Sequence, residues 1–162
     1  MKQLKFIQDF QNKYLDSHLG GSIGLLLHGV DLKRSLDKSD IDLTVQIPLS
    51  FAEPIGIEDL TESSNAEDFE YAFRYEPMGS NWYFKVDVNL KPKSEFVKIT
   101  HEGFEYRVSL LKDILVKKIE YAGKGVQKHI DDLIVIHCGV RPERKEEEKK
   151  QVPVTDIDDL PF

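Results

Sequence analysis

The stretch Lys38-Ser39-Asp40-Ile41-Asp42-Leu43-Thr44-Val45 sets two carboxylates two residues apart inside an apolar run. Strands are poor in aspartate, because its short side chain competes for backbone hydrogen bonds. The run nevertheless alternates as a strand does. Ile41, Leu43, Val45 and Ile47 fall on one face, and Asp40, Asp42, Thr44 and Gln46 on the other. Side chains two apart on a strand point the same way. Asp40 and Asp42 therefore stand side by side, and such charges repel unless a cation lies between them. Carboxylate oxygens are the ligands that Mg2+ prefers. A plainer reading remains open, in which Asp40 begins the strand and Asp42 lies on an ordinary solvated face.

A second strand is predicted over Trp82–Leu90, WYFKVDVNL, with Asp87 between Val86 and Val88. If the two strands are neighbours, three carboxylates converge. Such a set can hold two Mg2+ ions about 3.5–4 Å apart, an arrangement suited to phosphoryl transfer. Upstream, Gly20-Gly21-Ser22 precedes a short helix predicted over Ile23–His28, with Ser22 as its cap. Glycines let a backbone approach a phosphate, and free N–H groups at a helix start bind the anion.

The remaining chain reads as mixed helix and strand. An amphipathic helix is predicted from about Lys2 to His18, broken by Gly20-Gly21. The polar, acidic segment from Pro48 to Glu67 is read as a loop or lid. A weaker strand is predicted over Phe69–Glu76. A strand pair follows over Val97–Ile99 and Phe104–Val108, turning at His101-Glu102-Gly103. Two helices are then predicted, Leu110–Ala122 and Val126–Cys138, separated by Gly123 and Gly125. Lys118 lies on the apolar stripe of the first, where it either reaches inward or snorkels from the core edge. His129 and Asp132 share one side of the second, as a site or as a surface contact. Arg34 can meet a phosphate or pair with Asp37. After Gly139 comes a charge run and an acidic tail, read as a solvated helix end followed by disorder. Residues 1–139 thus form one domain and 140–162 a charged linker and tail.

Composition narrows the function. The chain has 162 residues, 40% hydrophobic, which is enough for one real core. Its net charge is −7 and its pI about 5.3. Duplex nucleic acid is not an expected partner, because phosphate binding needs clustered Lys and Arg. A lone cysteine, Cys138, makes no internal disulfide, which fits a reducing cytoplasm. No run approaches the ~20 apolar residues of a membrane span, and the N-terminal segment does not read as a signal peptide.

The chain resembles the nucleotidyltransferase superfamily related to DNA polymerase β. Leu19-Gly20-Gly21 matches that family's hydrophobic-Gly-[Gly/Ser] element. Asp40-Ile41-Asp42-Leu43 matches its Asp-x-Asp strand, and Asp87 in Lys85-Val86-Asp87-Val88 its third carboxylate. The likeness spans about residues 1–138 and is greatest to a bacterial branch near the abortive-infection nucleotidyltransferase toxins. A second register takes Gly29-Val30 as the glycine element, after a strand over Ile23–His28. The resemblance implies an α+β nucleotidyltransferase fold, a small mixed sheet flanked by helices, with a helical C-terminal part. It implies a nucleoside triphosphate as ligand and Mg2+ held by Asp40, Asp42 and Asp87. Gly20, Gly21, Ser22, Arg34 and Lys118 would then bind the nucleotide. The acceptor hydroxyl is not legible.

The last residues, Asp156-Ile157-Asp158-Asp159-Leu160-Pro161-Phe162, resemble the acidic tip of bacterial single-stranded-DNA-binding proteins. That resemblance implies docking on repair or replication factors through Asp158, Asp159, Leu160, Pro161 and Phe162. Phe162 would fill a pocket while its carboxylate meets an arginine. Two functions follow: an active Mg2+-dependent nucleotidyltransferase, or a weak or inactive module of that fold that binds proteins through its tail.

Overall fold

Leu4, Ile7 and Phe10 set one apolar stripe on a helix, and α1 spans Gln3–Lys13 with that stripe buried. The structure, a computed structural model, describes residues 1–45, 57–61, 71–75, 79–80, 82–90 and 94–144. The helix expected to reach His18 stops at Lys13, and Ser17–Leu19 becomes strand β1. The cause lies far along the chain. The Arg107 guanidinium donates to the carbonyls of Gln11, Tyr14 and Ser17, and the Gln11 amide donates back to the Arg107 carbonyl. One distant cation thus takes carbonyls that further helical turns would have used.

The chain continues through α2 (Gly21–Leu27), β2 (Ile41–Val45), β3 (Ile57–Thr61), β4 (Tyr71–Tyr75) and β5 (Phe84–Leu90). It ends with β6 (Phe96–His101), β7 (Phe104–Ser109), α3 (Leu111–Gly123) and α4 (Gln127–Cys138). Among the described residues, the strands form one seven-stranded sheet in the order β3-β4-β5-β2-β1-β7-β6. Pairs β2/β5 and β1/β7 are parallel and the other neighbours antiparallel, so the sheet is mixed and the class α+β.

Several predicted boundaries shift. The segment Pro48–Glu67, expected to be loop throughout, contains β3, which gains its backbone partners from β4. Ser22 does not cap α2. The cap position is Gly20, and the Ser22 hydroxyl faces two cations instead. Ile23–His28 is not a strand: 23–27 lies within α2, so the Gly29-Val30 register loses its preceding strand. Gly29 only follows the helix, whereas Gly20-Gly21 joins β1 to α2.

Alternation sorts the sheet's two faces. Ile41, Leu43, Val45, Phe84, Val86 and Val88 are buried in the core. The core extends through aromatic contacts: the Phe6 ring centroid lies 4.5 Å from that of Tyr75, which stacks on Phe84. Asp42, Thr44, Asp87 and Asn89 occupy the alternate positions and border a cleft beside α2, α3 and α4.

The charged run after Gly139 does not begin free. Arg141 donates to the Leu32 carbonyl and to Asp132, and Arg144 pairs with Asp131. The unit therefore extends past the expected boundary at 139. The acidic tip, Asp158–Phe162, lies outside the described residues. Cys138 is exposed. No helix among the described residues is long and apolar enough to cross a membrane.

Candidate active site

Parallel pairing of β2 with β5 puts Asp42 opposite Asp87, in register. Both occupy the polar parity of their strands, so both carboxylates look into the cleft, with Asp40 two residues before Asp42. The expectation that the two strands are neighbours is met, and it brings Asp42 and Asp87 to one level. The cleft is about 360 Å³ and is also bordered by Gly20, Gly21, Ser22 and Lys118.

Gly21 explains itself by distance. Its φ is +61°, and a Cβ there would lie 1.8 Å from Asp42 Oδ2. Only glycine lets the backbone lie flat against that carboxylate. The Gly20 N–H donates to the Asp42 carbonyl at 2.8 Å, which fixes the turn to β2.

Burial and mutual repulsion act on the carboxylates. Burial pushes the Asp42 carboxyl up to about 7, with the charges of Asp87 and Asp40 adding to the shift. Asp87 is also raised, chiefly by burial, while Lys85 at 3.3 Å opposes this. Among the described residues, Asp87 Oδ1 is buried with no hydrogen-bond partner. A carboxylate oxygen left this way is costly unless something cationic or protic reaches it. Among the described residues, no ready-made group of three or more His, Cys, Asp and Glu ligands is drawn together. The donor chemistry of Asp42 and Asp87 nonetheless fits a hard divalent cation: oxygen ligands, paired, with one oxygen unspent.

Lys118 also borders the cleft, and it pairs with a buried carboxylate, Asp132. This residue is 0% exposed, so it is not a surface contact. Arg34 donates to it from Nε and Nη2, at 2.9 and 3.0 Å. Lys118 Nζ lies 2.6 Å away and Arg141 Nη1 2.9 Å. Burial opposes ionisation of Asp132, but these three cations hold its carboxyl well below the usual range. Lys118 is 3% exposed, so it does not snorkel. Burial lowers its ammonium pKa, against the pull of Asp132. Arg34 and Lys118 also donate to Ser22 Oγ, at 2.8 and 3.3 Å. Arg34 pairs with Asp132 rather than with Asp37. His129 stacks on Tyr121 and lies 3.4 Å from Lys118. Burial and the nearby Lys118 charge depress its imidazole to about 4, so it is neutral near pH 7.

Two groups escaped the sequence reading. Arg141 follows the Gly139 helix end in a charge run whose composition gives no sign of a buried partner. His18 was assigned to a helix, yet it is buried on β1. Its Nδ1 meets Ser109 Oγ and its Nε2 meets Ser94 Oγ, each at 2.6 Å. No family model matches the chain, and comparisons with curated proteins and with solved structures give no match.

Proposed function

We propose that the protein is a Mg2+-dependent nucleotidyltransferase of the DNA polymerase β-like fold, transferring a nucleoside monophosphate from a nucleoside triphosphate to a hydroxyl. The observation that carries this reading is the register pairing of Asp42 with Asp87, with Asp87 Oδ1 buried and unpartnered among the described residues.

Asp40, Asp42 and Asp87 would hold the cation. Bound Mg2+ neutralises phosphate charge and orients attacking and leaving oxygens. Lys118 borders the cleft; it, Arg34 and Arg141 converge on the single carboxylate of Asp132, which leaves a cationic surplus for phosphates. The backbone at Gly20, Gly21 and Ser22 lies between the two charge centres and binds the phosphate chain. Asp87 Oδ1 accepts the proton of the acceptor hydroxyl. That oxygen attacks the α-phosphorus, the bond to the β-phosphate oxygen breaks, and pyrophosphate leaves with the electron pair. Positioning and fixed charge supply most of the rate.

Isothermal titration of ATP, CTP, GTP and UTP with Mg2+ tests this. Binding at about micromolar Kd, lost in folded Asp42→Asn, is expected. Folded protein that binds none of the four overturns the reading and favours an inactive module that docks through its acidic tip.

A further inference from the structure

The same sheet face carries a second polar row. His18 pairs with Thr44 across β1 and β2, and Thr44 pairs with Asn89 across β2 and β5. Three adjacent strands thus present His18, Thr44 and Asn89 at one level, two residues beyond Asp42 and Asp87. That is about 6–7 Å along the strands. All five residues border the same cleft.

The row differs in chemistry from the carboxylates. It offers a hydroxyl and an amide beside the His18 imidazole, whose two ring nitrogens are taken by Ser109 and Ser94. Thr44 and Asn89 are half-buried, and neither side chain hydrogen-bonds to another described residue. Hydroxyls and amides each donate and accept. Half-buried groups of this kind are satisfied by a ligand that does the same. Phe96 stacks on the His18 ring at 5.8 Å, so one face of this row's imidazole is already covered. A cleft of about 360 Å³ also sits at the small end of ligand sites, which run from about 300 to 1,000 Å³.

We infer that the His18–Thr44–Asn89 row is the acceptor subsite and that it takes a small, uncharged sugar or polyol. This rests on the nucleotidyl-transfer reading. One sugar hydroxyl attacks the α-phosphorus, the α–β phosphoanhydride bond breaks, pyrophosphate leaves, and the hydroxyl proton follows the route given above. The other hydroxyls bond to Thr44, Asn89 and Ser109.

The test uses the full chain with Mg2+, each of the four nucleoside triphosphates, and glycerol, ribose, glucose or myo-inositol. Pyrophosphate release is followed, and the product is identified by mass. At least one sugar is expected to raise release about tenfold and to yield its nucleoside monophosphate ester. Thr44→Val and Asn89→Ala are each expected to raise the sugar KM about tenfold, the cost of one hydrogen bond, with nucleotide Kd unchanged. Asp42-dependent nucleotide binding with no stimulation by any of the four sugars overturns the subsite and leaves the transferase reading intact. Stimulation that both variants retain in full also overturns it. Absence of nucleotide binding overturns both.

Discussion

Asp42 is held between two neighbours: Asp87 faces it across the parallel strand pair, and the Gly21 backbone closes on its Oδ2. Nothing on either side can move away without breaking β2/β5 pairing or the turn into α2.

Confinement of this kind makes stability depend on pH. Unfolded Asp42 ionises from its ordinary 3.8 upward, whereas folded Asp42 ionises near 7. The folded state is therefore favoured fully below pH 4, loses that advantage between about 4 and 7, and stays disfavoured above 7. Asp42→Asn removes the effect. In EDTA at pH 8 the variant is expected to exceed the parent by roughly 1–3 kcal/mol in urea unfolding, with the gap closing toward pH 4. Millimolar Mg2+ is expected to stabilise the parent and not the variant. A gap that is constant over this range contradicts the assignment.

Adjacent glycines are expected to behave differently. Gly21→Ala forces a Cβ onto the Asp42 carboxylate and fixes a non-glycine at φ +61°. It is expected to cost roughly 1–2 kcal/mol in strain alone and to abolish nucleotide binding. At Gly20 the nearest atom to an added Cβ is Ser109 Oγ, 3.7 Å away. Gly20→Ala is expected to change stability by less than about 0.5 kcal/mol. Thermal unfolding of the two variants side by side checks the contrast; equal losses refute it.

Asp132 anchors three cations and is expected to be the most sensitive of the charged positions. Asp132→Asn leaves Arg34, Lys118 and Arg141 converging on a neutral amide. Breaking a buried ion pair from one side costs roughly 3–5 kcal/mol. Arg141→Gln leaves two cations on the carboxylate, and a smaller loss is expected. Urea unfolding of both at pH 7 decides; a loss under about 1 kcal/mol for Asp132→Asn shows that the network is not holding α2, α3 and α4 together.

The carboxylate set was legible in the sequence because it follows a local rule. Alternation over Ile41–Val45 fixes which way Asp42 points, and the flanking valines do the same for Asp87. Pairing of the two strands was an assumption there, since nothing local specifies neighbours. Ser17–Leu19 was misread because its strand character comes from partners on β2 and β7 and from Arg107, all distant in sequence. His18 was lost with it. The role of Asp132 was half-visible: its spacing from His129 was noted, but burial, which decides its meaning, depends on how α4 packs. Arg141 was hidden by composition, being one basic residue in a run of charges.

Arg141 also bears on where this protein can be shortened. A cut after Gly139, the natural choice from composition, would remove Arg141 and Arg144 together. Asp132 would keep two of its three counter-charges, and α4 would lose the strap that ties its end to Leu32. Preparations trimmed at 139 and at 144 are thus different proteins around Asp132, although Asp40, Asp42 and Asp87 are present in both.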